Sequence, residues 1–235
     1  MEGILLVDKP TAWTSFDVVN YVRKLIAKTQ GVPPRTLKVG HSGTLDPFAS
    51  GLLLILVGKK YTTRSELLLK QDKIYQVMAE LGRVSSTGDP EGVIEETTPS
   101  PVAPSHANVV RILKRFRGEV SQTPPSFSAI KVNGVRAYRL ARQNKNEAVN
   151  LPKRKVKIKS LKLVVYDFPM LSFTAEVSSG TYVRSLVEDI GKELQVGAYT
   201  RELRRIAIGN YSVEDASKVS ELTEQTIAMS LLHTS

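Results

Sequence analysis

The sequence predicts an α+β protein built on a mixed, mostly antiparallel central sheet flanked by helices. Two patterns carry that expectation. Short segments that run apolar or alternate apolar with polar residues recur along the chain, as strands do. Amphipathic helical stretches lie between them without a strict strand–helix–strand alternation. A third observation bounds the class. With 235 residues, 41% hydrophobic and 24% charged, the chain has ordinary globular composition and enough length for one large core or two modest ones. It has no internal repeat and no low-complexity tract.

Taken in order, Gly3-Ile4-Leu5-Leu6-Val7 reads as a buried strand ending at Asp8-Lys9-Pro10. A helix is expected from Ser15 to Lys28, because Thr14 and Asp17 have capping-box spacing and Phe16, Val19, Val22, Leu25 and Ile26 share a face. Gln30 to Arg35 breaks it. Val39 to Gly51, with glycines, a proline and small hydroxyl residues, reads as tightly turning backbone. Leu52 to Val57 is a wholly apolar run and therefore a buried strand. Tyr61 to Gln71 is expected to be helical. Ile74 to Leu81 should be a strand with Tyr75, Val77, Ala79 and Leu81 on one side. Ser85 to Gly92 is a polar loop, and Thr97 to Ser105 a linker within the fold.

His106 to Phe116 reads as a basic amphipathic helix ending at Gly118. Asn133-Gly134 signals a hairpin turn after Phe127 to Val132, and Arg136 to Gln143 can turn helical. Lys155 to Tyr166 and Leu171 to Val177 read as long strands, Thr181 to Leu194 as a helix, Arg201 to Ile208 as a core strand and Glu221 to Leu232 as a closing helix.

Composition excludes several chemistries. The chain has no cysteine, so disulfides, thiolate metal sites and cysteine nucleophiles are ruled out. Its three histidines, His41, His106 and His233, are widely scattered, which argues against a histidine-rich metal site. No run is long enough for a membrane span, and the start of the chain lacks a signal-peptide layout, so a cytoplasmic location is expected. The formal net charge of +10 favours a polyanionic partner, most commonly nucleic acid.

The stretch from Val39 to Gly51 is the strongest candidate for chemistry. It holds one carboxylate, Asp46, and one imidazole, His41, in a polar loop beside a buried strand, which is a common way to hold a reactive group still. An Asp-Pro turn alone would also place an aspartate there. Phosphate-loop, dinucleotide, zinc and nucleophile-elbow patterns are missing, and no carboxylates cluster around Asp46. A lone aspartate in a rigid loop of a basic protein suits a metal-free reaction with carboxylate as nucleophile or base. Elsewhere, Lys153, Lys155, Lys157 and Lys159 alternate along a strand. They form either a phosphate track or a lysine-protected sheet edge. Tyr75 at a strand end is core or a stacking platform, and Arg184 is a surface ion pair or a partner for a carboxylate or phosphate. Arg111, Lys114, Arg115, Arg117, Arg201, Arg204 and Arg205 extend the positive surface.

These segments together resemble the TruB family of tRNA pseudouridine synthases. The similarity runs from about residue 3 to 212, with the family's motifs in order. They are Asp8-Lys9-Pro10 with Thr14-Ser15, His41 to Gly51, Lys73-Ile74-Tyr75, the block from Thr123 to Tyr138, Gly180 to Arg184, and Leu203-Arg204-Arg205. The resemblance implies the pseudouridine synthase fold, with the active-site cleft across its sheet. It also implies conversion of uridine-55 in the tRNA T loop to pseudouridine, with no cofactor and no metal. On the matching positions Asp46 would be the nucleophile, and Tyr75 would stack on the flipped base. Arg184 would pair with Asp46, Tyr182 and Leu203 would line the base pocket, and His41 would lie against the RNA. Base flipping fits the physics, since the glycosidic bond is out of reach in a stacked loop. Lys9 and Pro10 read as structural.

Three departures stand out. Ala12 occupies a usual glycine position, Ser86 replaces a common acidic residue while Asp89 remains, and residues 213–235 are too short for the family's C-terminal PUA domain. The expected organisation is therefore a catalytic domain over 1–212 and a short helical tail over 213–235. Its partner would be the T arm of tRNA, bound by a monomer with no membrane and no guide RNA. A non-catalytic RNA-binding protein on the same scaffold is the alternative, and so is a guide-dependent synthase.

Overall fold

A computed structural model describes residues 1–97, 102–125, 131–132, 135–136 and 151–232, with backbone alone at 131–132 and 135–136. The first half of the chain forms β1 (Gly3–Lys9), α1 (Ser15–Gln30), β2 (Val39–Ser42), β3 (Ser50–Val57), α2 (Lys59–Thr62), α3 (Ser65–Leu69), β4 (Lys73–Leu81), β5 (Arg83–Ser85), β6 (Ile94–Glu96) and α4 (His106–Arg115). The second half forms β7 (Gly118–Gln122), β8 (Lys131–Val132), β9 (Val135–Arg136), β10 (Arg154–Asp167), β11 (Met170–Val177), α5 (Val183–Glu193), β12 (Ala198–Ile208), β13 (Tyr211–Ser212), β14 (Ser217–Lys218) and β15 (Leu231–Leu232). This is the expected α+β class, with parallel and antiparallel pairings in its sheet. No described helix is long and apolar enough to cross a membrane.

Two units divide the chain. The first comprises Met1–Gln76 and Leu203–Ser235, the second Val77–Glu202, so β4 and β12 each contribute residues to both. In the first unit β1 lies antiparallel to β3, from Gly3↔Val57 to Lys9↔Gly51. β12 runs parallel to the start of β3, pairing Arg204↔Ser50 and Arg205↔Gly51. Alternation along β1 and β3 builds a core on each face. Leu5, Val7, Leu53 and Ile55 pack with Val18, Val22 and Ile26 of α1 on one side. Ile4, Leu6, Leu52 and Leu54 pack with Tyr61 and Ile208 on the other. The capping box that opens α1 is present, with Thr14 and Asp17 bonding reciprocally, and Gly31 closes the helix in the left-handed region. Phe16, expected on the buried face of α1, is 60% exposed; the face that packs is set by Ser15, Val18, Val19, Val22, Ile26 and Ala27.

In the second unit the strand order is β4-β11-β10-β7. Lys155, Lys157 and Lys159 are exposed along β10 while Val156 and Ile158 are buried, as alternation predicts. β10 pairs with β7 over Arg154–Ile158 and with β11 from Ile158 to Asp167, so the two ladders overlap only at Ile158 and the sheet-edge explanation stands beside the phosphate track. Two of the lysines face acidic neighbours: Lys157 sits opposite Glu119 in register, and Lys159 lies 3.7 Å from Glu176. Cross-strand pairing of opposite charges accounts for part of the stripe.

Three further expectations are corrected. Val39–Ser42 is not all turn: it forms β2, paired antiparallel with β3. Tyr61 to Gln71 is two short helices rather than one. The Thr62 and Thr63 hydroxyls bond back to the Gly58 and Lys59 carbonyls, a local competition that weakens helix continuation. Glu221 to Leu232 is not an α-helix; among the described residues of the tail the helical pieces are the short 3₁₀ helices Val213–Asp215 and Val219–Glu221. Turns containing a Thr223–Thr226 hydroxyl pair lead into β15, which pairs with Ile4 and Leu5 of β1. On either side of Asn133-Gly134, which lie outside the described residues, β8 and β9 pair antiparallel, Lys131↔Arg136 and Val132↔Val135. The helix expected beyond Arg136 lies outside the described residues, as does His233.

Candidate active site

Asp46 sits in the irregular segment between β2 and β3, partly exposed. The segment's own chemistry does not make it rigid; its anchors do. The Ser15 hydroxyl, buried at the start of α1, accepts from the Leu45 amide at 2.8 Å and donates to the Leu45 carbonyl at 2.9 Å. On the other side of Asp46, the Pro47 carbonyl accepts from the Ala12 amide at 2.8 Å and, at 3.4 Å, from Lys9 Nζ. Lys9 is fully buried and also donates to the Pro10 and Trp13 carbonyls. The reading of Lys9 as structural is thus borne out, and its donors tie the end of β1 to the residue after Asp46.

Arg205 closes the arrangement. It is 1% exposed, and its guanidinium donates from Nη2 to the Gly43 carbonyl at 2.9 Å and from Nε to the Leu52 carbonyl at 2.8 Å. One side chain thus bonds residues on both sides of Asp46. The close approach requires glycine at 51: its φ is +104°, and a Cβ there would lie 2.3 Å from the Arg205 carbonyl oxygen. Ala12 also has a positive φ, 65°, which makes it a strained site for an alanine and explains the preference for glycine there.

His41 lies on β2, paired with Ile55. Its Nδ1 is buried without a hydrogen-bond partner among the described residues. Burial, then the positive charge of Arg205, holds His41 below the ordinary histidine value, which favours the neutral ring. Tyr75 is buried on β4 with Lys73 and Val77. Lys73 donates to the carbonyls of Leu69 and Gln71. Its pKa is pushed down to about 8, chiefly by burial and secondarily by Arg205. Leu203, two residues before Arg205 on β12, is 7% exposed. His41, Asp46, Tyr75 and Leu203 all belong to the first unit.

Tyr182 and Arg184 belong to the second unit. Tyr182 caps the N-terminus of α5, and its backbone amide and carbonyl are both held by the buried Gln122 side chain, at 2.8 and 2.9 Å. Arg184 is no surface residue: it is 4% exposed. Its guanidinium donates to Asp89 Oδ2 and to the Thr87 carbonyl, both at 2.8 Å. Asp89 Oδ1 in turn accepts from the Thr87 hydroxyl and the Glu91 amide. A buried arginine–carboxylate pair with these supporting bonds fixes the side chain's direction. Glu188, whose carboxyl is raised by burial, lines the same turn.

The sequence did not single out Arg205, Lys73 or Asp89 as positioning groups. The available signal was weak: Lys73 and Arg205 stand beside apolar residues in strands, where an alternation argument treats them as surface, and Asp89 stands in a polar loop.

Residues 23–183 match the TruB family pseudouridylate synthase N-terminal domain, and residues 184–233 the tRNA pseudouridylate synthase B C-terminal domain. The chain is 40% identical over 214 residues to the tRNA pseudouridine synthase B of Chlamydia felis, covering 91% of this chain and 85% of that protein. It is 40% identical over 233 residues to that of Clostridium acetobutylicum, covering 99% and 76%. Among solved structures it is similar to the protein in an H/ACA ribonucleoprotein bound to a substrate RNA containing 2′-deoxyuridine, with TM-score 0.64 and 26% identity. It is also similar to that in a Cbf5-Nop10-Gar1 complex, with TM-score 0.65 and 27% identity. The chain is covered to 94% in both cases but spans only 52% and 53% of those longer proteins. This chain belongs to the TruB family of pseudouridylate synthases.

Proposed function

We propose that the enzyme isomerises uridine-55 in the T loop of tRNA to pseudouridine, with Asp46 as its nucleophile. The Asp46 carboxylate frees the target base from its N-glycosidic bond. The base turns and rejoins the ribose through carbon 5, and the proton on that carbon moves to ring nitrogen. Atoms balance, so the reaction needs no co-substrate and runs without cofactor. The target nucleotide must leave its stack to expose the bond, at a cost of a few kcal/mol, roughly offset by stacking and hydrogen bonds in the protein. Tyr75 stacks on the flipped base, Leu203 and Tyr182 line its pocket, and neutral His41 lies against the RNA. Arg184 stabilises negative charge on the nucleophile or the substrate. The enzyme acts as a monomer on the T arm, without a guide RNA; identity near 40% to tRNA pseudouridine synthases, against 26–27% to the proteins in the two solved complexes, supports the tRNA substrate.

One observation carries the reading most. Asp46 is the carboxylate of the family-matching loop, and that loop is anchored on both sides by buried donors, as a nucleophile that must not wander requires. The test is pseudouridine formation on an unmodified tRNA transcript by wild type and Asp46→Asn. Product at the T-loop uridine from wild type alone supports the proposal. RNA binding by wild type without product would favour a non-catalytic RNA-binding role.

A further inference from the structure

The first unit holds a cavity of about 500 Å³ lined by Asp8, Lys9, Trp13, Ser50, Arg204 and Lys218, with Tyr21 and Ser220 at its walls. None of the proposed catalytic or base-contacting residues lines it. It adjoins the Asp46 loop: Lys9 reaches the Pro47 carbonyl, and Ser50 begins the strand that follows the loop. Along β12 alternate side chains point to opposite sides of the strand, so Arg204 points away from the side that carries Leu203 and Arg205.

We propose that this cavity is a second nucleotide site, taking the base and phosphate of an unpaired ribonucleotide. Three features of the lining point to that chemistry. First, with the buried Lys9 ammonium committed to the Pro10, Trp13 and Pro47 carbonyls, its lining still carries two cations, Arg204 and Lys218, against one carboxylate, Asp8. The Asp8–Arg204 pair is bidentate, at 2.9 and 2.7 Å, so the fold itself fixes the guanidinium in place. Lys218 is left at the rim with its side chain 69% exposed and only a loose contact, 3.8 Å, to Glu221. An anion is the natural complement. Second, Trp13 and Tyr21 meet edge to face at 6.0 Å and 75°, an arrangement that leaves ring surface for a planar group to stack on. Third, the Ser50 and Ser220 hydroxyls can bond a ribose or base edge. Planar ring, anion and hydroxyl partners together describe a nucleotide. The inference rests on the RNA-modifying reading above, and the nucleotide can come from the RNA strand or from free solution.

Trp13 is the chain's one tryptophan, so intrinsic fluorescence reports on this cavity directly. Uridine and adenosine 5′-monophosphates are titrated into the wild-type protein, Asp46→Asn and Lys218→Glu. The expected result is a saturable change in Trp13 emission, equal in wild type and Asp46→Asn, with affinity about tenfold weaker in Lys218→Glu, as loss of one charge-assisted contact implies. Lys218 is exposed, so its substitution leaves the fold intact, and an unchanged melting temperature checks this. No saturable change, a change indifferent to Lys218→Glu, or one that Asp46→Asn abolishes would overturn the proposal. The source is then read from tRNA. Weaker binding of the unmodified transcript by Lys218→Glu assigns the nucleotide to the RNA, whereas mononucleotide binding with unaltered tRNA affinity assigns it to free nucleotide; both support the site. Failure of the catalytic reading shows separately, as product formed by Asp46→Asn.

Discussion

The loop that carries Asp46 and the loop that carries Asp89 are held by different chemistry. Around Asp46, hydroxyl, amide, ammonium and guanidinium donors bond the backbone carbonyls of Gly43, Leu45, Pro47 and Leu52. Around Asp89 a buried carboxylate collects the Thr87 hydroxyl, the Glu91 amide and the Arg184 guanidinium. The Asp46 loop is thus held through its backbone carbonyls. A carboxylate anchor spends its charge on orienting a cation. The first design suits a nucleophile and the second suits the group that has to meet negative charge.

Breaking the second anchor should cost most. Asp89→Asn removes the carboxylate that the buried Arg184 guanidinium bonds at 2.8 Å, and a loss of about 3–5 kcal/mol in unfolding free energy by denaturant titration is expected. Arg205→Met removes donors from two carbonyls without creating a lone charge, so about 2–3 kcal/mol is expected. Its turnover should fall further than its tRNA affinity, because the loop and not the RNA surface has lost its brace.

A pH experiment sharpens the same contrast. Lys73 has a folded pKa of about 8 against 10.5 when unexposed to burial. Between those values the unfolded chain binds more protons, so stability should rise as pH increases through that window, with a slope up to about 1.4 kcal/mol per pH unit. Lys73→Met should flatten the slope in melts between pH 8 and 10.5. The smallest effect belongs to Ala12, whose φ of 65° strains the turn that binds Pro47. Ala12→Gly should stabilise by about 0.5–1 kcal/mol, relief of strain being partly offset by the greater entropy of glycine.

Much of this was legible in the residues. Apolar runs disclosed β1 and β3, Thr14 and Asp17 disclosed the start of α1, and alternation disclosed the buried side of β4 and the exposed lysines of β10. The buried cations were not legible as anchors. Their acceptors are carbonyls brought in from 153 and 162 positions away for Arg205, and from 38 positions away for Lys9 at Pro47. No local pattern encodes a partner of that kind. Arg184 was visible as a motif residue, but its burial beside Asp89 depends on packing that spacing does not disclose. The closing helix failed for the same reason: the edge of β1 was available to Leu231 and Leu232, and strand pairing won over local helical preference.

The central claim is that Asp46 does the chemistry while its surroundings only hold it. The most direct measurement is pseudouridine formed at the T-loop uridine of an unmodified tRNA transcript by wild type, Asp46→Asn and Arg205→Lys, alongside their melting temperatures. The account predicts product from wild type, none from Asp46→Asn at an unchanged melting temperature, and reduced product from Arg205→Lys. Product from Asp46→Asn at a rate near wild type would contradict it.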